Sequence, residues 1–274
     1  MTANETFLVL GGTGKTGRRV ADRLRERGLA VRAVSRSTEP PFDWSDETTW
    51  MPVLDGDVRA AYLTFHPDLA LPGSAGAIRA FSTLAAARGV RRLVLLSGRG
   101  EPETEPAERA VRESGAGWTI VRCAWFAQNF SEDFLLPPVR SGDLAVPGGS
   151  VGEPFVDLGD VADVVVEALV SPAHEGQLYE LTGPRLLTFA DAAAEITAAS
   201  GRQVRYRAVT AEQFAAGGAG MGLPLDAAGE LAALFTRVLD GRNEYLSDDV
   251  EQVLGRPATD FTEFAKSAAG AWVS

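Results

Sequence analysis

Cysteine is nearly absent from this 274-residue chain. Cys123 stands alone, which excludes an internal disulfide and a cysteine-built zinc cluster and fits a reducing cytoplasm. Histidine is as scarce: His66 and His174 are too few for a histidine-rich metal site, so no metal is expected. No apolar run approaches the roughly 18 residues of a membrane-spanning helix. The opening MTANETFLVLGG lacks the cationic start and long apolar stretch of a secretory signal. Positive charge is also in short supply, with 26 Lys and Arg against 37 Asp and Glu and a net charge of −11. An acidic chain is poorly suited to wrapping nucleic acid, whose backbone is held by clustered Lys and Arg. These absences point to a cytoplasmic protein with neither a nucleic-acid nor a membrane partner.

What remains is an ordinary globular balance, 45% hydrophobic and 23% charged, with enough length for a large buried core. TFLVLGG reads as a short buried strand. A glycine turn follows, and then KTGRRVADRLRERG, with Val20, Ala21 and Leu24 at helical spacing and Gly28 as the stop. AVRAVSRS is a second strand, which completes a βαβ unit. PFDWSD reads as a weak third strand, and AAYLTF, VRRLVLLSG and WTIVRCAWF as the next three, with helices between them. Alternation of this kind predicts an α/β, doubly wound parallel sheet in the order 3-2-1-4-5-6. After about residue 135 the rhythm changes. A Pro- and Gly-rich stretch leads to the helix DVADVVVEALVS, the strand GQLYELTG and a mostly helical remainder. Thr188 with Asp191, and Thr210 with Gln213, carry helix-capping signals, and AAGGAGMGLP reads as a mobile loop. The expected division is a Rossmann domain over residues 1–150, extended by 155–183, and a smaller, mostly helical substrate lobe over 184–274.

The first turn poses a question, because VLGGTGKTGRRV contains the Gly-Lys-Thr that ends a nucleotide-hydrolysing phosphate loop. That loop requires a glycine five residues before Gly14, and Val9 stands there. The glycines instead fit Gly11-x-x-Gly14-x-x-Gly17, a dinucleotide fingerprint lying between a strand and an amphipathic helix. Gly11, Gly12, Thr13, Gly14, Lys15, Thr16 and Gly17 are therefore expected to cradle a pyrophosphate at the helix N-terminus. The second strand ends in Ser35, Arg36 and Ser37, with no acid to grip ribose hydroxyls, and Arg36 is suited to a 2′-phosphate. That favours NADPH. Asp43 and Trp44 are candidate flanks for the adenine, although Trp44 is equally suited to core packing.

Several segments, LVLGGTGKTGRRVADRL, LLSG, RESGAGWTIVRCAWFAQNF, FVDLGDVADVVVEAL and YELTGPRLLTFADAAAEI, together resemble the NmrA-like group of atypical short-chain dehydrogenases/reductases over nearly the whole chain. That group includes NADPH-dependent quinone reductases, isoflavone-reductase-like enzymes and non-catalytic NAD(P)-binding redox sensors. The resemblance implies that Thr64 and Phe65 line the dinucleotide and that Ser97 and Gly98 form the active-site edge. It also implies that Cys123 borders the nicotinamide, and that Trp125, Phe126, Gln128, Asn129 and Phe130 form a substrate wall. Many relatives carry Pro where Cys123 stands.

The Tyr-x-x-x-Lys pair of short-chain dehydrogenases is missing. By alignment its positions are Gly100 and Thr104, and none of the four tyrosines has a lysine four residues later. Ser97 and His66 are the remaining candidates for catalysis; Glu108 reads as a solvated helix-face residue. The expected function is NADPH-dependent reduction of a planar, conjugated small molecule, such as a quinone or polyketide-like aromatic, by a monomer or homodimer. A non-catalytic NADP(H) sensor, and a biosynthetic enzyme of unusual chemistry on the same fold, stand as alternatives.

Overall fold

The computed structural model describes residues 5–220 and 225–273. By its internal contacts the chain forms two units. One comprises residues up to Cys123 together with Leu158–Leu181 and Asp249–Arg256; the other comprises Ala124–Asp157, Thr182–Asp248 and the stretch from Pro257 on.

The first unit is built on strands β1 (Thr6–Leu10), β2 (Ala30–Val34), β3 (Val58–Leu63), β4 (Arg92–Gly98), β5 (Gly117–Cys123) and β7 (Gln177–Leu181). All pair in parallel, in the order β2-β1-β3-β4-β5-β7. The central strands are covered on both faces, which is why they read as continuous apolar runs; Phe7, Leu8, Val9 and Leu10 are all buried. Helices α1 (Lys15–Glu26) and α7 (Leu158–Val170) pack together. Helices α2 (Trp50–Leu54), α3 (Ser74–Ala87) and α4 (Glu105–Arg112) share a core with Leu8, Leu63, Leu95 and Ile120.

The expected third strand does not form. PFDWSD makes only an isolated bridge between Asp43 and Asp46. Pro40 and Pro41 remove two ladder donors just where pairing would begin. The segment is instead held by indoles: Trp44 Nε1 donates to the Thr64 carbonyl (2.9 Å) and Trp50 Nε1 to the Asp43 carbonyl (2.8 Å). The sheet accordingly ends at β2.

The other unit holds α5 (Asn129–Glu132), α6 (Leu136–Ser141), α8 (Phe189–Ser200), α9 (Ala211–Gly220), α10 (Leu225–Val238), α12 (Phe261–Ala268) and α13 (Gly270–Val273). It also holds a parallel pair, β6 (Asp143–Val146) with β8 (Arg205–Ala208). Its core is aromatic, with Phe130, Phe155, Phe189, Phe235, Phe261 and Trp272 buried together. The capping box at Thr188 and Asp191 forms, as does the reciprocal pair Thr210 and Gln213. Residues 215–220, expected in a loop, are helical in α9, because Ala supports the helix through its glycines. Residues 221–224 of the same expected loop lie outside the described residues.

The division differs from the expected one at 150 and 184. Residues 124–150 group with the helical unit, and α11 (Asp249–Leu254) groups with the sheet. The reason at the latter is local: the Glu180 N–H on edge strand β7 donates to Asp249 Oδ2 at 2.6 Å, so a short C-terminal helix covers the sheet edge.

Candidate dinucleotide site

The turn between β1 and α1 is built from backbone. Gly14 N–H donates to the Gly11 carbonyl (2.8 Å), Gly12 N–H to Val34 (2.8 Å), and Arg18 N–H returns to Gly14 (3.1 Å). Three of its glycines are required by packing. Gly11 has φ +65°, and a Cβ there would lie 2.5 Å from Thr64 Oγ1. A Cβ on Gly12 would lie 2.7 Å from the Ala33 Cβ, and one on Gly17 would run into the Gly11 backbone, 2.7 Å from its carbonyl carbon.

Gly14 is different. It is exposed, and its Cβ would touch only the Gly11 carbonyl oxygen, at 3.2 Å. Gly14 caps α1 without a side chain, and the first helical turn carries no acid. Among the described residues no side chain caps this helix N-terminus, and an exposed glycine before it fits a pyrophosphate, which the leading N–H groups and positive end of a helix can hold. The residues present therefore fit a dinucleotide. Thr13 is exposed on the same turn, while Thr16 is buried beneath it and Lys15 is half-buried.

At the tip of β2, Ser35 Oγ lies 3.1 Å from Ser37 Oγ and accepts from Ser37 N–H. The side chain of Arg36 between them is exposed and makes no hydrogen bond or ion pair among the described residues. Asp43 carries Ser45 on its carboxylate, through both N–H (2.9 Å) and hydroxyl (2.7 Å). These two bonds, joined by the charges of Arg36 and His66, hold its carboxyl below the usual range. Trp44 leans on Phe65 at 5.2 Å and also packs on the core.

The two catalytic candidates are not brought together. His66 is exposed, and its charge acts on Asp43, which places it in the neighbourhood of Arg36. Ser97 is buried; its hydroxyl lies 2.8 Å from Glu108 Oε1 and 3.0 Å from Thr104 Oγ1. Glu108 is the clearest departure from the sequence reading, since it is fully buried rather than solvated. Arg122 grips it with two bonds, Nε to Oε1 (2.7 Å) and Nη2 to Oε2 (2.8 Å), and Arg112 adds a third at 3.2 Å. Burial pushes the Glu108 carboxyl up; the Arg122 and Ser97 bonds and the two arginine charges outweigh that and hold it below the usual range. Arg122, in return, is raised by Glu108.

Gly98 ends β4 opposite Cys123, and the Arg99 N–H donates to the Cys123 carbonyl at 3.1 Å. Burial pushes the Cys123 thiol well up, so it is a small apolar wall rather than a nucleophile. Among the described residues no group of three or more His, Cys, Asp or Glu side chains is placed to hold a metal. Among the same residues, no helix is long and apolar enough to cross a membrane.

In the helical unit, Trp125 is half-buried, 4.6 Å from Phe235 and 6.0 Å from both Phe134 and Phe189. Phe126 is half-buried and bridged to Val156. Gln128 is buried and donates to Asp157 Oδ2 at 2.8 Å, and Asn129 is buried at the start of α5. Phe130 does not join a wall. It is fully buried among Phe155, Phe189 and Phe261, and its carbonyl accepts from Trp272 Nε1. No local pattern marks Phe134, Phe189 and Phe235 as partners of Trp125, because only tertiary folding collects them.

Residues 11–172 match a family described as NAD(P)H-binding. The chain is 33% identical to an NAD(P)H azoreductase of Xenophilus azovorans, over 97% of this chain and 99% of that one. It is 32% identical to an agroclavine dehydrogenase of Claviceps fusiformis, over 98% and 99%. Its fold matches an NADPH-dependent quinone oxidoreductase from Escherichia coli, solved with NADPH, with a TM-score of 0.82 at 24% identity over 95% of this chain and 99% of that one.

Proposed function

The chain belongs to the NAD(P)H-binding family, in its NmrA-like group of atypical short-chain dehydrogenases/reductases, and from that premise we propose that it is an NADPH-preferring reductase of planar, conjugated, electron-poor molecules such as quinones and azo aromatics. That it is an NAD(P)H-dependent oxidoreductase is supported by its relatives at 32–33% identity, which are named as a dehydrogenase and an azoreductase. In the proposed assignment Gly11–Gly17 seat the pyrophosphate, Ser35, Arg36 and Ser37 the 2′-phosphate, and Thr64, Phe65, Gly98 and Cys123 the path to the nicotinamide. Asp43 and Trp44 flank the adenosine end.

The observation that carries the choice of acceptor is what stands in place of the missing pair. Gly100 has no side chain, and the Thr104 hydroxyl is committed, 2.8 Å from the Glu101 carbonyl and 3.0 Å from Ser97 Oγ. Bound NADPH supplies the hydride. With no tyrosine or lysine to protonate a developing alkoxide, a simple ketone is a poor acceptor, whereas a quinone or azo group spreads the incoming charge and takes its proton from water. The azoreductase and quinone-oxidoreductase relatives are named for acceptors of that kind. Trp125, in a half-buried aromatic group with Phe134 and Phe214, is suited to a flat ring.

NADPH oxidation across a panel of quinones, azo dyes and aromatic ketones is expected to show turnover with the first two and little with the ketones. Dinucleotide binding without turnover on any acceptor would reverse this in favour of a redox sensor. Cofactor choice is tested separately. Arg36→Ala is expected to weaken NADPH about 10- to 100-fold and NADH little, as for loss of one charge-assisted contact. Equal affinity of the parent protein for both cofactors would remove the assignment of Arg36.

A further inference from the structure

A carboxylate stands at the sheet edge where the missing pair would be. After Gly98 the chain turns through Gly100, with φ +71°, and brings Glu101 back over the end of β4. A Cβ on Gly98 would lie 2.5 Å from Glu101 Cδ and 3.1 Å from its Oε2, so the carboxylate occupies the space that a side chain at 98 would fill. The backbone of Glu101 is pinned, because its carbonyl accepts from both Thr104 N–H (3.0 Å) and Thr104 Oγ1 (2.8 Å). Gly98 is paired with Cys123 across β4 and β5, at the carboxyl end of the strands, where ligands bind in open α/β sheets. The side chain offered at this edge is thus an acid, where the Tyr-x-x-x-Lys pair would supply a phenol and an ammonium.

The geometry points to Glu101 as an electrostatic partner of the nicotinamide ring, one that favours the oxidised cofactor over the reduced one. This rests on the proposed seat of the ring beside Gly98 and Cys123. The oxidised ring carries a positive charge and the reduced ring is neutral, so a nearby carboxylate discriminates between them by a whole unit of charge. Its field also stabilises positive charge as it develops on the ring, which makes the bound reductant stronger without any proton-donating group. Two unit charges several ångströms apart at an effective dielectric near 20, discounted for the half-exposed setting of Glu101, give a discrimination of about tenfold. That is about 30 mV for a two-electron couple.

The test is a pair of binding titrations, NADP⁺ and NADPH, on the full chain and on Glu101→Gln. The variant is expected to bind NADP⁺ about tenfold more weakly while its NADPH affinity stays within about twofold, with the difference shrinking as salt is raised. Retained NADPH affinity also reports that the variant is folded. Loss of both nucleotides by the same factor, or of neither, in Glu101→Gln would overturn the assignment. A parent protein that shows the asymmetry yet reduces no acceptor supports the role of Glu101 and removes only the acceptor reading.

Discussion

Glu108→Ala is expected to cost about 3 kcal/mol of stability, a large share of what a domain of this kind has. The carboxylate is fully buried, and its removal takes two charge-assisted bonds from Arg122, the carboxylate acceptor from Ser97 and the ion-pair partner from Arg112. Breaking a buried pair from one side typically costs about 3–5 kcal/mol. Because the Arg122 side chain is 22% exposed and can recruit water, the lower end applies. The measurement is urea unfolding at neutral pH, and an unchanged midpoint would show that the network contributes nothing.

The pH dependence follows from the same carboxyl. Its folded pKa lies below the ordinary value of 4.5. A depressed carboxyl contributes stability that is complete above the unfolded pKa and is lost as pH falls through the folded one. The parent protein should therefore lose stability on acidification below about 4.5, and Glu108→Gln should lose less over the same interval. Parallel curves for the two proteins would mean that other carboxylates dominate.

Ala107, Ala110 and Val111 mark the buried face of α4, and Glu108, three before Val111, lies on that stripe. An acid on a helix reads as solvated until its partner is known. The partner, Arg122, comes from a strand 14 residues away, and only the β4–β5 register sets it beside Ser97. The same limit applies to Trp125, whose neighbours at 134, 189 and 235 belong to three other segments. It applies to α11 as well, six residues whose one decisive contact is a strand-edge N–H. By contrast, the glycine turn, the βαβ unit and the caps at Thr188 and Thr210 were legible, because each is closed by residues within a few positions of one another. PFDWSD failed in an intermediate way: its apolar content was right for burial, but its prolines were wrong for a ladder.

Gly14→Val is expected to weaken dinucleotide binding at least about 100-fold, some 2.7 kcal/mol, while leaving the fold in place. The separation of the two effects comes from where each glycine points. At Gly17 a Cβ meets the Gly11 backbone, and at Gly12 it meets the Ala33 methyl, so substitution there strains the turn itself and any loss of binding would be ambiguous. At Gly14 the backbone is extended, with φ −80° and ψ 175°, which any residue adopts, and the Cβ faces open space apart from one carbonyl oxygen. Valine at a helix N-cap costs only about 1 kcal/mol of helix stability. Its methyls, however, stand where a pyrophosphate must approach the first N–H groups of α1, and those bonds cannot form at a distance. Paired measurements decide it: NADPH titration by fluorescence, and thermal unfolding without ligand. A variant that unfolds like the parent and binds nothing locates the cofactor at this turn. A variant that binds like the parent would mean that the glycines close the turn for packing alone, and that the phosphates lie elsewhere along the strand ends.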